Sequence, residues 1–185
     1  MNLPNKITVL RVILIPIFLL VYLAAPLRGV CEIGEILNAW LALVIFVTAA
    51  ITDAVDGYLA RKMGLVTNFG KLMDPLADKM LVCAALIAFT ATGSLPAWAT
   101  IIFISREFYI SGLRQLALEQ KIVVAASPSA KFKTIMQITL IIYILLPFPF
   151  TILFQETFAL TLIIITTAIS IYSAAEYTMK NINIF

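Results

Sequence analysis

The sequence predicts an all-α, polytopic membrane protein with six transmembrane helices and a short interfacial segment at the N-terminus. Of its 185 residues, 62% are hydrophobic and only 12% are charged. Soluble domains are about half apolar and about one quarter charged, so much of this chain's apolar surface should face lipid. Six apolar stretches approach the roughly 20 residues that a helix needs to cross a bilayer. Their lack of alternation argues against membrane β-strands, and the length fits one domain over residues 1–185.

In chain order, the predicted helices are joined by connectors rich in turn-forming residues. Pro26–Gly29, Gly93–Pro96 and Pro147–Pro149 each place proline or glycine where an apolar run breaks. The first stretch could be mistaken for a signal peptide, but Arg11 lies too deep and five more spans follow, so we expect it to be retained. Residues 1–5 form the expected interfacial segment. The first four expected helices cover about Ile7–Ala25, Leu37–Ala60, Leu72–Thr92 and Pro96–Leu118. The fifth covers about Thr134–Leu146, with an earlier start left open, and the sixth about Thr151–Tyr172 and somewhat beyond.

The basic residues predict the orientation of the chain, because cytoplasmic loops of membrane proteins are enriched in Lys and Arg. With the N-terminus inside, most of the 13 cations lie in inner segments or at the adjoining helix ends. The outer connectors carry only Arg28. We therefore expect both termini and the active site to be cytoplasmic. The absence of a transit peptide favours a bacterial plasma membrane.

Composition also argues against several functional classes. The chain has no histidine, so a metal ligand or general base must be a carboxylate, a hydroxyl or an amine. Its 13 cations are not gathered on a soluble face, which argues against a nucleic-acid partner. Cys31 and Cys83 lie in unlike surroundings without a CxxC pattern, so we expect both to be structural.

Four aspartates lie within residues 52–80, a polar stretch of this apolar chain. Asp53 and Asp56 are three positions apart near the inner end of the second helix, and Asp74 and Asp78 are four apart on the third. Each pair shares a helix face, and a short inner loop brings the pairs together. Carboxylates that converge in a membrane need compensation, and Mg²⁺ prefers oxygen ligands. We expect a divalent-cation site. The alternative is a set of Asp–Lys and Asp–Arg pairs that anchor the helix ends.

Small residues accompany these carboxylates. Gly57 follows Asp56 on the second helix, although glycine costs about 1 kcal/mol relative to alanine there. Ala60 lies one turn later, and Gly70 precedes the third helix's first aspartate by one turn. Small residues allow a flat or bulky group to approach the backbone, and a nucleotide between the helix ends would explain all three. Close helix–helix packing is the alternative.

The fixed residues of this stretch resemble the signature of the CDP-alcohol phosphatidyltransferase family. The chain reads D-x-x-D-G-x-x-A-R from Asp53, then eight residues, then G-x-x-x-D-x-x-x-D up to Asp78. The six-helix layout extends the resemblance over the whole chain. The resemblance implies a membrane enzyme that transfers the phosphatidyl group of CDP-diacylglycerol to an alcohol and releases CMP. It also implies a homodimer.

The resemblance further implies a role for each matched residue. Two divalent cations, Mg²⁺ or Mn²⁺, would clamp the reacting phosphoryl group, and Asp78 would also be the general base that accepts the acceptor's proton. The metal ligands would be Asp53, Asp56, Asp74 and Asp78. The CDP-binding residues would be Asn5, Thr8, Gly57, Ala60, Arg61 and Gly70.

Four further cations point to a phosphorylated acceptor. Arg106 lies within the fourth span, where an uncompensated charge is costly, so it should face the interior and bind an anion. Glu107 could be its partner, although adjacent helix positions point about 100° apart. The sharper hypothesis is a phosphate bound by Arg106 and Arg114 together with Lys131 or Lys133, because Arg matches phosphate geometry. The alternative for the lysines is anchoring beside anionic lipid.

The segments "REFYISGLR" and "KFKT" look like the branch of the family whose acceptor is glycerol 3-phosphate. One departure is Ala130, where that branch leads us to expect glycine. The same chemistry with inositol phosphate or phosphatidylglycerol as acceptor is the nearest alternative. A divalent-cation transporter is a distant one, because its site should lie near the bilayer midplane with a path to both faces.

Overall fold

A computed structural model of the chain describes residues 3–27, 32–63, 68–120, 128–146 and 152–181. Side chains are described for residues 9–24, 36–52, 76–77, 79–120, 128–146 and 157–181. Within these ranges the backbone forms helices and turns and no β-strand, so the predicted all-α fold is confirmed. The helices are α1 (Leu3–Leu27), α2 (Glu32–Met63), α3 (Asn68–Ala91), α4 (Ala97–Glu119), α5 (Pro128–Leu145) and α6 (Ile152–Lys180).

Each predicted span corresponds to one helix, but most of the helices are longer than their apolar runs. α2 begins at Glu32, α5 begins at Pro128 and α6 continues to Lys180. Hydropathy marks only the apolar part of a helix, whereas backbone hydrogen bonding continues through polar residues at its ends. The starts of α1, α2 and α3 were therefore predicted too late, while the number and order of the helices and the extension of the sixth were predicted correctly.

The predicted interfacial segment is helical from Leu3 onward, and its position at the membrane interface stays a prediction. α1 begins at Leu3, so Pro4 and Asn5 belong to its first turn. Proline is tolerated in the first turn of a helix because the N–H that it lacks has no intrahelical acceptor there. Residues 1–2 lie outside the described residues.

The chain divides into two compact units. Unit 1 comprises residues 1–92 and 145–147, and unit 2 comprises residues 93–144 and 148–185. Unit 1 therefore contains α1, α2 and α3, whereas unit 2 contains α4, nearly all of α5, and α6. The prediction of one domain over the whole chain stays a prediction.

Aromatic side chains form the centre of unit 1. Phe18 of α1 is fully buried, and its ring centroid lies 6.0 Å from those of both Tyr22 and Phe46. Tyr22 also meets Phe89 of α3 edge-on at 5.2 Å. The hydroxyls of Tyr22 and Thr92 lie 3.1 Å apart, so the polar end of the ring is satisfied as well. α1 therefore packs against both α2 and α3.

Alanines allow the helices of unit 1 to approach closely. α2 contacts α3 as well as α1, and only residues 64–67 separate α2 from α3. A connection this short makes consecutive helices antiparallel neighbours, so the end of α2 adjoins the start of α3. Small side chains are typical of such packing in membrane proteins. The buried alanines of α2 and α3 are Ala42, Ala49, Ala77, Ala85 and Ala88.

The turn before α4 confirms the predicted connector Gly93–Pro96. Gly93 has φ +77°, a left-handed conformation that glycine adopts without the steric cost of a Cβ. Pro96 then caps the N-terminus of α4, and its carbonyl accepts the N–H of Ala99 at 3.0 Å. Proline suits the start of α4 because its φ is fixed and it has no N–H to satisfy.

In unit 2, α4 and α6 lie side by side and run in the same direction. Arg106 donates to Ser173 at 2.9 Å, and the hydroxyls of Tyr109 and Thr178 lie 3.1 Å apart. In the first contact the α6 residue follows the α4 residue by 67 positions, and in the second by 69. Because a later residue of α4 meets a later residue of α6, the two helices are parallel.

α5 runs antiparallel to α6. Near its C-terminus, the ring centroids of Tyr143 and Phe158 are 5.3 Å apart. Near its N-terminus, Ser129 hydrogen-bonds the carboxylate of Glu176. Later residues of α5 therefore meet earlier residues of α6. Unit 2 is a three-helix arrangement in which α5 opposes its two parallel neighbours.

Among the described residues, one helical segment, Thr157–Lys180, is long and apolar enough to cross a membrane by length and composition. Shorter apolar helical segments occur at Val9–Ala24, Ile36–Thr52 and Lys79–Ala91. A single such helix is weak support for membrane insertion, because the core helix of a soluble protein has the same properties. The prediction of six helices is thus confirmed, whereas their crossing of a membrane stays a prediction.

We predict that Phe18→Ala lowers the free energy of unfolding by about 3–5 kcal/mol, because it leaves a cavity beside the rings of Tyr22 and Phe46. The measurement is the thermal unfolding midpoint of the purified chain in detergent micelles. Leu20→Ala is the matched control, since Leu20 lies on the same helix but is 71% exposed. An equal fall in both midpoints would contradict the proposed aromatic core.

Candidate active site

The backbone places the four aspartates on two neighbouring helices. Asp53 and Asp56 lie in α2, and Asp74 and Asp78 lie in α3, so both spacings are helical as predicted. The end of α2 adjoins the start of α3, which puts the two acidic segments on either side of a short connection. The four side chains lie outside the described residues, and their ligand role stays a prediction.

The positions predicted to bind CDP are helical as well. Asn5 and Thr8 lie in the first turns of α1, and Gly57, Ala60 and Arg61 lie in the last turns of α2. Gly70 lies in the first turn of α3. Their side chains, too, are outside the described residues. The described side chains include no group of three or more acidic or cysteine residues that could hold a metal ion.

A charged cluster, formed by Arg106, Glu107 and Lys133, lies inside unit 2. Lys133 of α5 is only 1% exposed and donates to Oε1 of Glu107. Arg106 of α4, 9% exposed, donates from NH1 to the same oxygen at 3.4 Å and from NH2 to Ser173 of α6 at 2.9 Å. One carboxylate therefore serves two buried cations. The predicted placement of Arg106 in the interior is confirmed.

Glu107 is the partner of Arg106 even though the two positions are adjacent on α4. The arginine side chain is long enough to reach Glu107 although the two side chains leave the helix in different directions. The distance from NH1 of Arg106 to Oε1 of Glu107, 3.4 Å, is long for an ion pair. The stronger contact of Glu107 is with Lys133 on the neighbouring helix. The two positive and one negative charges leave a local excess of one positive charge. Such a cluster can accept a dianion such as a phosphate monoester.

Arg114 and Lys131, also predicted to bind the acceptor phosphate, lie differently from the two buried cations. The guanidinium carbon of Arg114 lies over the ring of Tyr177, 5.8 Å from its centroid, and Arg114 is close enough to repel Arg106 electrostatically. Lys131 is exposed. Arg106 and Lys133 therefore meet at the same oxygen of Glu107. Arg114 and Lys131 take no part in that contact. Ala130, the departure from the expected glycine, is buried.

Beside the charged cluster, unit 2 buries a set of neutral polar residues that the sequence reasoning missed. We call Gln137, Thr166, Ser170 and Ser173 the polar column. Gln137 is one turn from Lys133 on α5, and the three α6 residues recur at spacings of four and three, which places them on one face. All four are buried. The sequence contains two indications of the polar column. One is a glutamine inside an apolar span, and the other is the helical spacing of the three α6 hydroxyl residues.

Comparisons with known proteins identify relatives along most of the chain. A model of the CDP-alcohol phosphatidyltransferase family matches residues 1–172. The chain is 46% identical over 184 residues to the CDP-diacylglycerol–glycerol-3-phosphate 3-phosphatidyltransferase of Bacillus subtilis, covering 97% of this chain and 95% of that protein. It is 39% identical over 137 residues to the protein of the same name in Rickettsia bellii, covering 74% of this chain and 70% of that protein. A probable phosphatidylglycerophosphate synthase of Mycobacterium tuberculosis is 41% identical over 146 residues, covering 79% of this chain and 66% of that protein.

We predict that Glu107→Gln lowers the free energy of unfolding by about 3 kcal/mol, because two buried cations lose their counter-charge. Adding Lys133→Met should restore part of this loss, since the double variant buries one cation fewer. The thermal unfolding midpoint in detergent measures both effects. Glu176→Gln is the control, because its partner Lys180 is 62% exposed and the midpoint should hardly move. A double variant less stable than Glu107→Gln would contradict the assigned charge balance.

Proposed function

The chain belongs to the CDP-alcohol phosphatidyltransferase family, and from that premise we propose its reaction and the residues that carry it. The enzyme transfers the phosphatidyl group of CDP-diacylglycerol to sn-glycerol 3-phosphate. The products are phosphatidylglycerophosphate and CMP. The observation that carries this assignment is the similarity along nearly the whole chain to relatives named for this reaction. The buried cations Arg106 and Lys133 support a phosphorylated acceptor.

The reaction is a displacement at the β-phosphorus of CDP-diacylglycerol, the phosphorus that carries the lipid. A new bond forms between this phosphorus and the acceptor hydroxyl oxygen. The bond to the oxygen shared with the α-phosphate breaks, and CMP leaves with that oxygen. The hydroxyl must lose its proton as it attacks, and Asp78 is the proposed general base. A carboxylate suits this role because the chain has no histidine.

Asp53, Asp56, Asp74 and Asp78 are the proposed ligands of two divalent cations, Mg²⁺ or Mn²⁺. The donor set fits hard cations, because it consists of four carboxylates at helical spacing on two adjoining helices. When bound, such ions neutralise phosphate charge and stabilise the charge that develops during an in-line displacement. The family generally uses divalent metal ions, which agrees with this assignment.

The proposed CDP site lies at the same helix ends. Gly57 and Gly70 offer no side chain, and Ala60 offers only a methyl group, so a nucleotide can approach the backbone. Arg61 provides a positive charge for the phosphates. The six proposed residues are Asn5, Thr8, Gly57, Ala60, Arg61 and Gly70.

The charged cluster is the proposed binding site for the phosphate of the acceptor. Arg106 and Lys133 donate to Glu107, and a phosphate can accept the same donors. Burial strengthens such contacts because water does not compete for the donors. Arg114 and Lys131 are proposed to assist as more exposed charges that attract the dianion. Their effect should be smaller, since exposed charges are screened by water and salt.

The proposal includes a bacterial plasma membrane, with the chain crossing it six times and both termini and the active site in the cytoplasm. Large exposed apolar side chains on several helices support lipid contact, including Ile87, Ile101 and Ile171. CDP-diacylglycerol has acyl chains that need lipid, whereas CMP and glycerol 3-phosphate need water. A site at the membrane–water interface serves both. A homodimer, implied by the family resemblance, is also part of the proposal.

We expect the purified chain to release CMP from CDP-diacylglycerol when glycerol 3-phosphate and Mg²⁺ or Mn²⁺ are present. Chelation with EDTA should abolish the release, and added metal should restore it. Asp78→Asn should lower kcat at least about a hundredfold, which is the usual contribution of a general base. Chromatographic measurement of CMP tests all three expectations.

Glu119→Gln is the control for Asp78→Asn, because Glu119 is an exposed carboxylate at the end of α4. Inositol phosphate and phosphatidylglycerol complete the panel of acceptors. CMP release with one of these, but not with glycerol 3-phosphate, would overturn the acceptor assignment. Full activity of Asp78→Asn would overturn the proposed base.

We predict that Lys133→Met raises the KM for glycerol 3-phosphate by about 10–100-fold, because a charge-assisted hydrogen bond to the phosphate is lost. The KM for CDP-diacylglycerol should stay unchanged. Lys131→Met should have a smaller effect, and Lys180→Met, which removes an exposed charge at the end of α6, should have none. Steady-state kinetics with each substrate varied in turn gives these values. An equal rise of both KM values in Lys133→Met would contradict an acceptor-specific role.

A further inference from the structure

The polar column contains buried polar atoms that have no hydrogen-bond partner among the described residues. They are Nε2 of Gln137 and the hydroxyl oxygens of Thr166 and Ser170. Gln137 is 3% exposed, and the other two residues are fully buried. A buried polar group without a partner costs about 1–3 kcal/mol, so such groups are rare in native proteins. Three of them on the neighbouring helices α5 and α6 require an explanation.

The register of α5 against α6 places these atoms at neighbouring levels. The contacts Tyr143–Phe158 and Ser129–Glu176 fix the two ends of the antiparallel pair. Between these ends, Gln137 falls at about the level of Thr166. Lys133 falls at about the level of Ser170, one turn away. The polar column is therefore continuous with the charged cluster.

The hydroxyls of the column differ from most other threonines of α6. Thr161, Thr167 and Thr178 each donate to the carbonyl four positions earlier, at 2.7–3.0 Å. This back-bonding is the usual way in which a helix satisfies a hydroxyl in an apolar environment. Neither Thr166 nor Ser170 makes such a bond within the described structure. Their hydroxyls remain available for another group.

The chemistry of the column suits an uncharged hydroxyl group. An amide N–H and two hydroxyls can donate and accept hydrogen bonds, and they carry no charge to attract a second phosphate. Arg106 and Lys133, about one helical turn away, supply the positive charge that binds a phosphate. From Ser173 to Thr166 the column rises about 10 Å, at 1.5 Å per residue. A phosphate on a three-carbon chain, with bonds of about 1.5 Å, fits within that length.

We propose that Gln137, Thr166 and Ser170 form a subsite for the non-reacting hydroxyl of a small phosphorylated polyol whose phosphate is bound by Arg106 and Lys133. The inference rests on the proposed function, and for glycerol 3-phosphate the hydroxyl is the one on C2. Binding would supply the partner that the three polar atoms lack. A site with buried donors of this kind discriminates strongly against a ligand without the matching hydroxyl, because those donors would remain unpaired.

The test compares glycerol 3-phosphate with 3-hydroxypropyl phosphate, which lacks only the C2 hydroxyl, as acceptors for the full chain in detergent with CDP-diacylglycerol. We expect Gln137→Met to raise the KM for glycerol 3-phosphate about tenfold, the equivalent of one hydrogen bond. The same variant should leave the KM for 3-hydroxypropyl phosphate unchanged. The wild type should bind 3-hydroxypropyl phosphate about tenfold more weakly than glycerol 3-phosphate.

Stability separates a binding role from a structural one. Gln137→Met has nearly the same volume and removes an unpaired buried donor, so its thermal unfolding midpoint should equal or exceed that of the wild type. Thr166→Val provides a second variant, with an expected threefold or larger rise in the KM for glycerol 3-phosphate, at least about 0.6 kcal/mol. Thr167→Val is its matched control, because Thr167 is a buried neighbour whose hydroxyl already donates to Ile163.

The outcomes distinguish this subsite from the proposed function. A Gln137→Met penalty of equal size with both acceptors overturns the subsite while leaving the proposed function intact. A Thr167→Val penalty as large as that of Thr166→Val has the same consequence. Failure of the wild type to release CMP with glycerol 3-phosphate overturns the proposed function and the subsite with it.

Discussion

The arrangement of unit 2 depends on the cost of burying charge in an apolar protein. An isolated buried cation carries a penalty of several kcal/mol, and the attraction of a nearby carboxylate offsets it only with good geometry. Glu107 provides this compensation for Arg106 and Lys133 together. Because the three residues belong to two helices, and Arg106 also reaches Ser173 on a third, the same contacts that neutralise charge hold α4, α5 and α6 together.

Unit 1 is stabilised by a different kind of contact. Its described core includes aromatic rings on three helices and alanines on α2 and α3, with a hydroxyl pair between Tyr22 and Thr92. It also buries Arg11 of α1. The contacts between the neutral side chains depend on shape and distance, and they require no counter-charge. α1, α2 and α3 thus pack mainly through apolar contacts, whereas α4, α5 and α6 are also joined by buried ion pairs and hydrogen bonds.

The sequence predicted the helices and the family well, because both follow from local patterns. Apolar runs mark helices, but they end before polar residues such as Glu32 and Lys180 that the helices still include. The burial of Arg106 followed from the cost of charge in a span. The polar column was missed because threonine and serine are common in apolar helices and usually bond to their own backbone. Only the tertiary contacts reveal that Thr166 and Ser170 do not.

The charged cluster also bears on how the protein is made. α4 carries Arg106 and Glu107 side by side, and on biological insertion scales each such charge at the centre of a helix opposes entry into the membrane by about 2.5–3.5 kcal/mol. The groups that relieve this penalty, Lys133 and Ser173, are synthesised later, on α5 and α6. In a chain that crosses the membrane as proposed, stable insertion of α4 therefore waits for its downstream neighbours, and the second half of the protein assembles as a unit rather than one helix at a time.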